Sequence, residues 1–378
     1  MKILGFLAGA AMLSLAAMPA AAQISDDVVK LGVLTDMAGL YSDINGQGAV
    51  IATQMAIEDF GGSVLGKKIE VIFGDVQNKP DVGLTVGGKW FDAEKVDAIL
   101  GAAASSSSLA VSKLAGDKKK VFLAIDPATS DLTSKACNAH TVHWTYDTIA
   151  LSNGTGSAVV KAGGQTWFFM TVDYAFGHAL ERDVSAVVTA SGGKVVGGVR
   201  HPLNTSDFSS FLLQAQASKA QVIGLANAGG DTINTIKQAA EFGIVKGGQK
   251  LAALLVFITD IHSIGLPLAQ GLQLTEAFYW DNNDGTRAFS KRFAAKMNGK
   301  MPTSIQAGYY AATKHYLDAI KAGGTDDGAK VVLKMKEMPT DDPLFGKGIV
   351  RQDGRKIHDM YLFEVKSPAE SKGPYDYY

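Results

Sequence analysis

The chain has 378 residues with 36 basic and 37 acidic side chains, a formal net charge of −1. That near-balance, with no basic stripe, excludes the electrostatic footprint of a nucleic-acid binder and leaves a small solute or another protein as partner. The length exceeds what one hydrophobic core usually organises, so two domains are expected; the single cysteine, Cys137, excludes an intramolecular disulfide, and stability must come from packing.

The N-terminus opens with Met1-Lys2-Ile3, continues as a Leu- and Ala-rich stretch from Leu4 to Met18, and reaches Pro19-Ala20-Ala21-Ala22-Gln23. These are the three regions of a secretory signal peptide, read over residues 1–22 with cleavage before Gln23. No cysteine stands near that point to carry a lipid anchor. Since no other apolar run approaches the ~20 residues that cross a bilayer, the mature chain is expected to be soluble.

From Val28 onward, apolar β-branched runs alternate with longer amphipathic segments, the pattern of parallel sheets covered by helices, so the fold class is α/β. Strands are expected over 29–34, 69–73, 98–101 and 121–125, with helices over 47–60, 82–91 and 109–115; the segment 140–147 is expected to leave the first lobe. A second series follows, with strands over 165–172, 194–201, 222–226, 251–258 and 271–280. Its helices are expected over 177–190, 208–217, 231–242, 287–297, 306–321 and 330–337. The tail 367–378 reads as a surface strap or a frayed end.

In open parallel sheets, ligands bind beyond the carboxyl ends of the strands, where loops meet helix N-termini whose free N–H groups favour an anion. Five loops qualify. Ala102 to Ser108 follows a buried strand, and its small side chains let backbone N–H groups approach a ligand while Ser105, Ser106 and Ser107 offer hydroxyls. Ala128, Thr129 and Ser130 end the next strand; a plain turn would explain them equally. Asp173 to His178 brings Phe176 and the imidazole of His178 to the start of the second lobe's first helix. Ala228 and Gly229 would leave room in a cleft, and Asp260 is a carboxylate placed either to meet a ligand cation or hydroxyl or to cap a helix. Tyr41 and Trp280 complete the candidate set. An enzyme would need a nucleophile with a base, a metal cluster or a phosphate loop; there is no G-x-S-x-G elbow, no Walker lysine loop, and no metal-type spacing among the seven histidines. No catalytic residue, metal or cofactor is therefore expected.

The order and spacing of several segments resemble one family. They are Lys30-Leu31-Gly32-Val33-Leu34 with Gly39, Met55-Ala56-Ile57-Glu58-Asp59, Ile99-Leu100-Gly101 leading into the serine run, Pro127-Ala128-Thr129, and Tyr174-Ala175-Phe176-Gly177. The chain is similar to the type I periplasmic binding proteins of ABC importers, in the leucine/isoleucine/valine-binding branch, over nearly all of its mature length. The resemblance implies two Rossmann-like lobes with parallel central sheets joined by a three-segment hinge. Lobe one is then expected over 28–146 plus 278–346, and lobe two over 147–277 plus 347–378. It also implies that the ligand carboxylate is held by Ser106, Ser107, Ala128 and Thr129, with Ser130 beside them, that Phe176 is the second lobe's aromatic contact, and that an acid near Thr259 and Asp260 meets an α-ammonium. Its partners would be a small-molecule carboxylate and a membrane permease that reads the closed form of a periplasmic monomer. Two departures stand out: Asn227-Ala228-Gly229 replaces a tyrosine of the amino-acid binders, and the family disulfide is missing. The wording Asp173-Tyr174-Ala175-Phe176-Gly177-His178 is similar to relatives that bind aromatic carboxylates such as benzoate or hydroxycinnamate derivatives. The expected ligand is thus an aromatic acid, with a branched-chain amino acid as the alternative and a ligand sensor or a periplasmic hydrolase behind them.

Overall fold

The computed structural model describes residues 24–378, so the signal peptide read over 1–22 lies outside the described residues. Strands Val28–Thr35 (β1), Ser63–Val64 (β2), Lys67–Asp75 (β3), Ala98–Gly101 (β4), Val121–Ala124 (β5) and Thr141–His143 (β6) form one sheet in the order β2-β3-β1-β4-β5-β6. Every neighbouring pair is parallel except the short β2 against β3. β4 and β5 are buried at every position, as apolar runs must be when helices cover both faces of a parallel sheet. Helices Gly46–Phe60 (α1), Pro80–Asp92 (α2) and Ser105–Lys118 (α3) do the covering. Pro80 starts α2, where its missing N–H costs nothing, and Gly61 closes α1 with φ 98°.

The segment 140–147, expected to leave the lobe, instead supplies β6. Only afterwards does the chain cross, through Thr148–Leu151 (α4), a π turn over 152–156 and Ser157–Lys161 (α5). Strands Thr166–Val172 (β7), Lys194–His201 (β8), Val222–Ala226 (β9) and Lys250–Ala253 (β10) then form a second, wholly parallel sheet in the order β10-β9-β7-β8. Helices Ala175–Ala190 (α6), Ser209–Ala217 (α7) and Gly230–Glu241 (α8) connect them. The strand expected over 251–258 stops at Ala253, because Ile258–Ile264 (α9) begins there and the chain between runs along a cavity wall. Leu266–Ala269 (α10) follows.

The strand expected over 271–280 shortens to Gln273–Glu276 (β11). Helices Asp284–Lys296 (α11), Ser304–Gly323 (α12) and Gly328–Glu337 (α13) come next, and α12 packs along α1 of the first lobe. Three short strands, Thr340–Asp342 (β12), Gly346–Val350 (β13) and Lys356–Ile357 (β14), make a small antiparallel sheet before Tyr361–Glu364 (β15) pairs antiparallel with β11. Residues 347–358, which the sequence puts with lobe two, make first-lobe contacts. The buried Arg355 donates to Asp147 Oδ2 at 2.8 Å and to the carbonyls of His143 and Trp144 at 3.2 and 2.7 Å. The reason is electrostatic: a buried guanidinium needs a carboxylate and carbonyls, and those stand at the end of β6. The tail is a packed strap rather than a frayed end. Tyr375 and Tyr377 are buried, and the Tyr375 carbonyl accepts from Tyr279 Oη and Trp280 Nε1.

Candidate functional site

Where the carboxyl ends of both sheets face each other lies a cavity of about 340 Å³. Lobe one supplies Tyr41, Ile44 and Asn45 beyond β1, Ala103, Ala104 and Ser105 beyond β4, Asp126, Pro127 and Ala128 beyond β5, Tyr146 beyond β6, and Ile305 of α12. Lobe two supplies Tyr174 and Phe176 beyond β7, Ala228 beyond β9, and Leu255 and Phe257 beyond β10.

The serine run is helical from Ser105, so it is the first turn of α3 and not a loop. Serine's weak helix propensity and the lack of a capping side chain at Ala104 hid that start from sequence reasoning. A helix turns about 100° per residue, so three successive side chains cannot share one wall. Ser105 lines the cavity, whereas Ser107 is fully buried beside Gly83 of α2 and its Oγ has no hydrogen-bond partner; Ser106 is half-buried and off the wall. The ladder begins with Ser108 N–H on Ala104 O at 2.9 Å, so the N–H groups of Ser105, Ser106 and Ser107 lie ahead of it, at the positive end of the helix.

The turn into α3 is strained. Gly101, Ala102 and Ala103 take φ of 101°, 69° and 45° in succession, and a Cβ on Gly101 would sit 1.8 Å from Tyr309 Oη and 2.8 Å from Asp126 Oδ2. Positive φ at an alanine costs roughly 1–2 kcal/mol, and here it aims Ala103 N–H at Asp126 Oδ2, 2.8 Å away. Tyr309 Oη donates to the same oxygen at 2.9 Å, and Tyr146 Oη donates to the Asp126 carbonyl at 2.7 Å. Asp126 Oδ1 has no partner. Burial, with Asp36 nearby, outweighs the hydrogen bonds from Tyr309, Ala103 and the Asn45 side chain and pushes the Asp126 carboxyl up to about 7. No lysine, arginine or histidine lines the cavity.

Of the other candidates, Tyr41, Ala128, Phe176 and Ala228 line the cavity with Ser105. Thr129 does not: its N–H donates to Ser105 Oγ at 3.3 Å and its hydroxyl accepts from Asp131 N–H at the start of a 3₁₀ turn. Ser130 leaves the wall because its hydroxyl is engaged across the cleft. It donates to Asp183 Oδ2 at 2.8 Å and accepts from Arg182 Nη2 at 2.8 Å, both on α6. His178 is a surface residue between Asp173, at 2.7 Å, and Arg200, at 2.9 Å. Asp260 takes the helix-cap role, its Oδ2 accepting Phe257 N–H at 2.9 Å, and it stands off the cavity; burial pushes its carboxyl up to about 7. Trp280 is held to the C-terminal strap.

Gly229 leaves no gap. With φ 58°, it admits the lobe-one loop so closely that a Cβ would meet Leu40 O and Tyr41 Cδ1 at 2.9 Å. Tyr41 Oη meets Tyr174 Oη at 2.8 Å across the cleft. Asn45, Asp126, Tyr146, Leu255 and Phe257 were missed. Asp126 stood at the head of a loop already singled out, while Leu255 and Phe257 read as strand because they are apolar.

A second set of interlobe bonds surrounds Ser130. Arg182 donates to Asp131 Oδ1 at 3.1 Å, and Asp183 Oδ2 also accepts from Thr148 Oγ1, in the crossing helix α4, at 2.5 Å. The lobes therefore touch both at the Tyr41–Tyr174 loops and where α6 meets the Ser130 turn, which is the closed arrangement of a two-lobe solute binder.

The chain belongs to the periplasmic binding protein family, whose model matches residues 28–374. It is similar to a periplasmic binding protein from Burkholderia mallei, 54% identical over 93% of each chain with a TM-score of 0.91. A branched chain amino acid ABC transporter periplasmic ligand-binding protein from Burkholderia xenovorans LB400 is 42% identical over 93% of each chain, with a TM-score of 0.82. The Leu/Ile/Val-binding protein homolog 6 of Brucella melitensis biotype 1 is 26% identical over 370 residues, 95% of this chain and 92% of that one. Proteins of this family are periplasmic, and as ABC-transporter components they hold small molecules and work with a membrane permease.

Proposed function

We propose that the cavity captures a small carboxylic acid with an aromatic body and presents it, enclosed by both lobes, to the permease of an ABC importer. The observation that carries this reading is a mostly apolar, tyrosine-bearing cavity with a few polar groups gathered beside the start of α3. Lobe one offers the α3 N-terminus, Ser105, Asn45 and Asp126 among Ile44, Ala103, Ala104, Ala128 and Ile305, while lobe two offers Tyr174, Phe176, Phe257, Leu255 and Ala228. An anionic head suits the N–H groups and the helix dipole, and a flat apolar body suits the rings. Binding rather than hydrolysis is supported by Ser105 Oγ, which accepts the Thr129 N–H and has no histidine beside it on the wall.

A branched-chain amino acid is the second reading, favoured by Asp126 as a carboxylate within reach of an ammonium and by the relative named for that transport. A thermal-shift panel separates the two. A ligand at 100 times its dissociation constant adds about 2.7 kcal/mol to stability, so benzoate and 4-hydroxybenzoate should raise the melting temperature by several degrees. Shifts with leucine, isoleucine or valine alone would favour the second reading.

A further inference from the structure

Asp126 is the one ionisable carboxyl on the cavity wall, and its two oxygens are treated differently. Oδ2 receives Ala103 N–H and Tyr309 Oη, whereas Oδ1, on a residue only 5% exposed, receives nothing. A buried ionised carboxylate needs cations or several donors around both oxygens. What faces Asp126 is a few neutral donors and a second carboxyl, with no cation among them. From the β1 end comes Asp36, whose carboxylate accepts from Gly39 N–H at 2.6 Å, Tyr41 N–H at 2.9 Å and Asn78 Nδ2 at 2.6 Å and whose nearness raises the Asp126 carboxyl. From the N-cap of α1 comes the neutral Asn45 amide, which like Tyr309 of α12 favours the ionised form, and from beyond β6 comes Tyr146, whose proton goes to the Asp126 backbone carbonyl.

Resting on the reading that the ligand is a carboxylate, we propose that Asp126 is a specificity-determining residue. It is protonated on Oδ1 and donates that O–H to a ligand carboxylate oxygen, so that the site takes up the anion together with one proton. The raised affinity of Asp126 for a proton, caused first by burial, agrees with this geometry. The balance is simple: one proton moves from solvent to Oδ1, no bond of the ligand is made or broken, and the proton returns on release. A zwitterionic amino acid would need the opposite state, an ionised Asp126 facing an ammonium, and would have to overcome both the desolvation and the repulsion from Asp36.

The two states give pH dependences of opposite sign. Calorimetric titration of the wild-type protein with benzoate between pH 6 and 9, in two buffers of different ionisation enthalpy, should show a plateau at acid pH. Above about pH 7, affinity should fall about tenfold per pH unit while approximately one proton is taken up per ligand bound. Asp126→Asn imitates the protonated side chain, since its oxygen can still accept from Ala103 and Tyr309 while its amide donates; it should bind benzoate at the acid-plateau affinity up to pH 9 with no proton uptake. Wild-type binding that is flat with pH and takes up no proton overturns the proposal without reference to any variant. So does leucine binding that strengthens from pH 6 to 8 and vanishes in Asp126→Asn, which would make Asp126 an ammonium partner. If benzoate, 4-hydroxybenzoate and isovalerate all fail to bind even at pH 6, the carboxylate reading itself falls, and the assignment with it.

Discussion

Three adjacent serines have three different fates. Ser105 Oγ lies on the cavity wall, Ser106 is half-buried beside it, and Ser107 Oγ is buried without a partner. The residue types advertised a carboxylate site, but which hydroxyl faces inward depends on where the helix starts, and no capping residue marked that start. Ser105→Ala should weaken benzoate binding roughly 3- to 30-fold by removing one hydrogen bond of about 0.5–2 kcal/mol. Ser107→Ala should leave affinity unchanged in the same titration and hold or raise the melting temperature, because it deletes a buried hydroxyl that has no partner. Equal loss from both variants would return the run to a loop-like site. Asp260 teaches the same lesson in reverse: the sequence allowed it a ligand or a capping role, and only the bond to Phe257 N–H decides for the cap.

At the scale of elements, most strands and helices stand within a few residues of their expected places, because β4, β5 and β9 are uninterrupted apolar runs and helices such as α8 and α13 have a clear 3.6-residue periodicity. What escaped was short: β2, β12 and β14 have two or three residues, too few for any period to register, and β6 was masked by polar Thr141 and His143. The element that most affects function is α6, whose Arg182 and Asp183 reach the Asp131 and Ser130 of the opposite lobe. Arg182 is about half exposed, so its ion pair with Asp131 contributes little; Asp183 is mostly buried and gathers the Ser130 and Thr148 hydroxyls. Asp183→Ala should therefore loosen the closed form and speed benzoate dissociation by roughly 5- to 30-fold, on the basis of ~1–2 kcal/mol of lost interlobe bonding. Stopped-flow measurement would check this, and an unchanged dissociation rate would remove the latch role.

For the whole molecule, the two parallel sheets were legible from the alternation of strands and helices, whereas the three crossings between them entered only with the family resemblance. The route of the last crossing was not legible, since it depends on Arg355 finding Asp147 more than two hundred residues away in sequence. Nor was the closing of the cleft legible, because Tyr41 meeting Tyr174 and Gly229 admitting Leu40 are contacts between lobes that no local pattern encodes. On the proposed reading, closure sets the polar groups of lobe one and the rings of lobe two around the ligand, so that it gains its second set of contacts only when the lobes meet. A crystal structure of the protein grown with benzoate tests this most directly. The account predicts the carboxylate within hydrogen-bond distance of Ser105 Oγ, the α3 N–H groups and Asp126 Oδ1, with the ring against Phe176 and Tyr174. A carboxylate turned toward Leu255 and Phe257, or a benzoate bound outside the cleft, would contradict it.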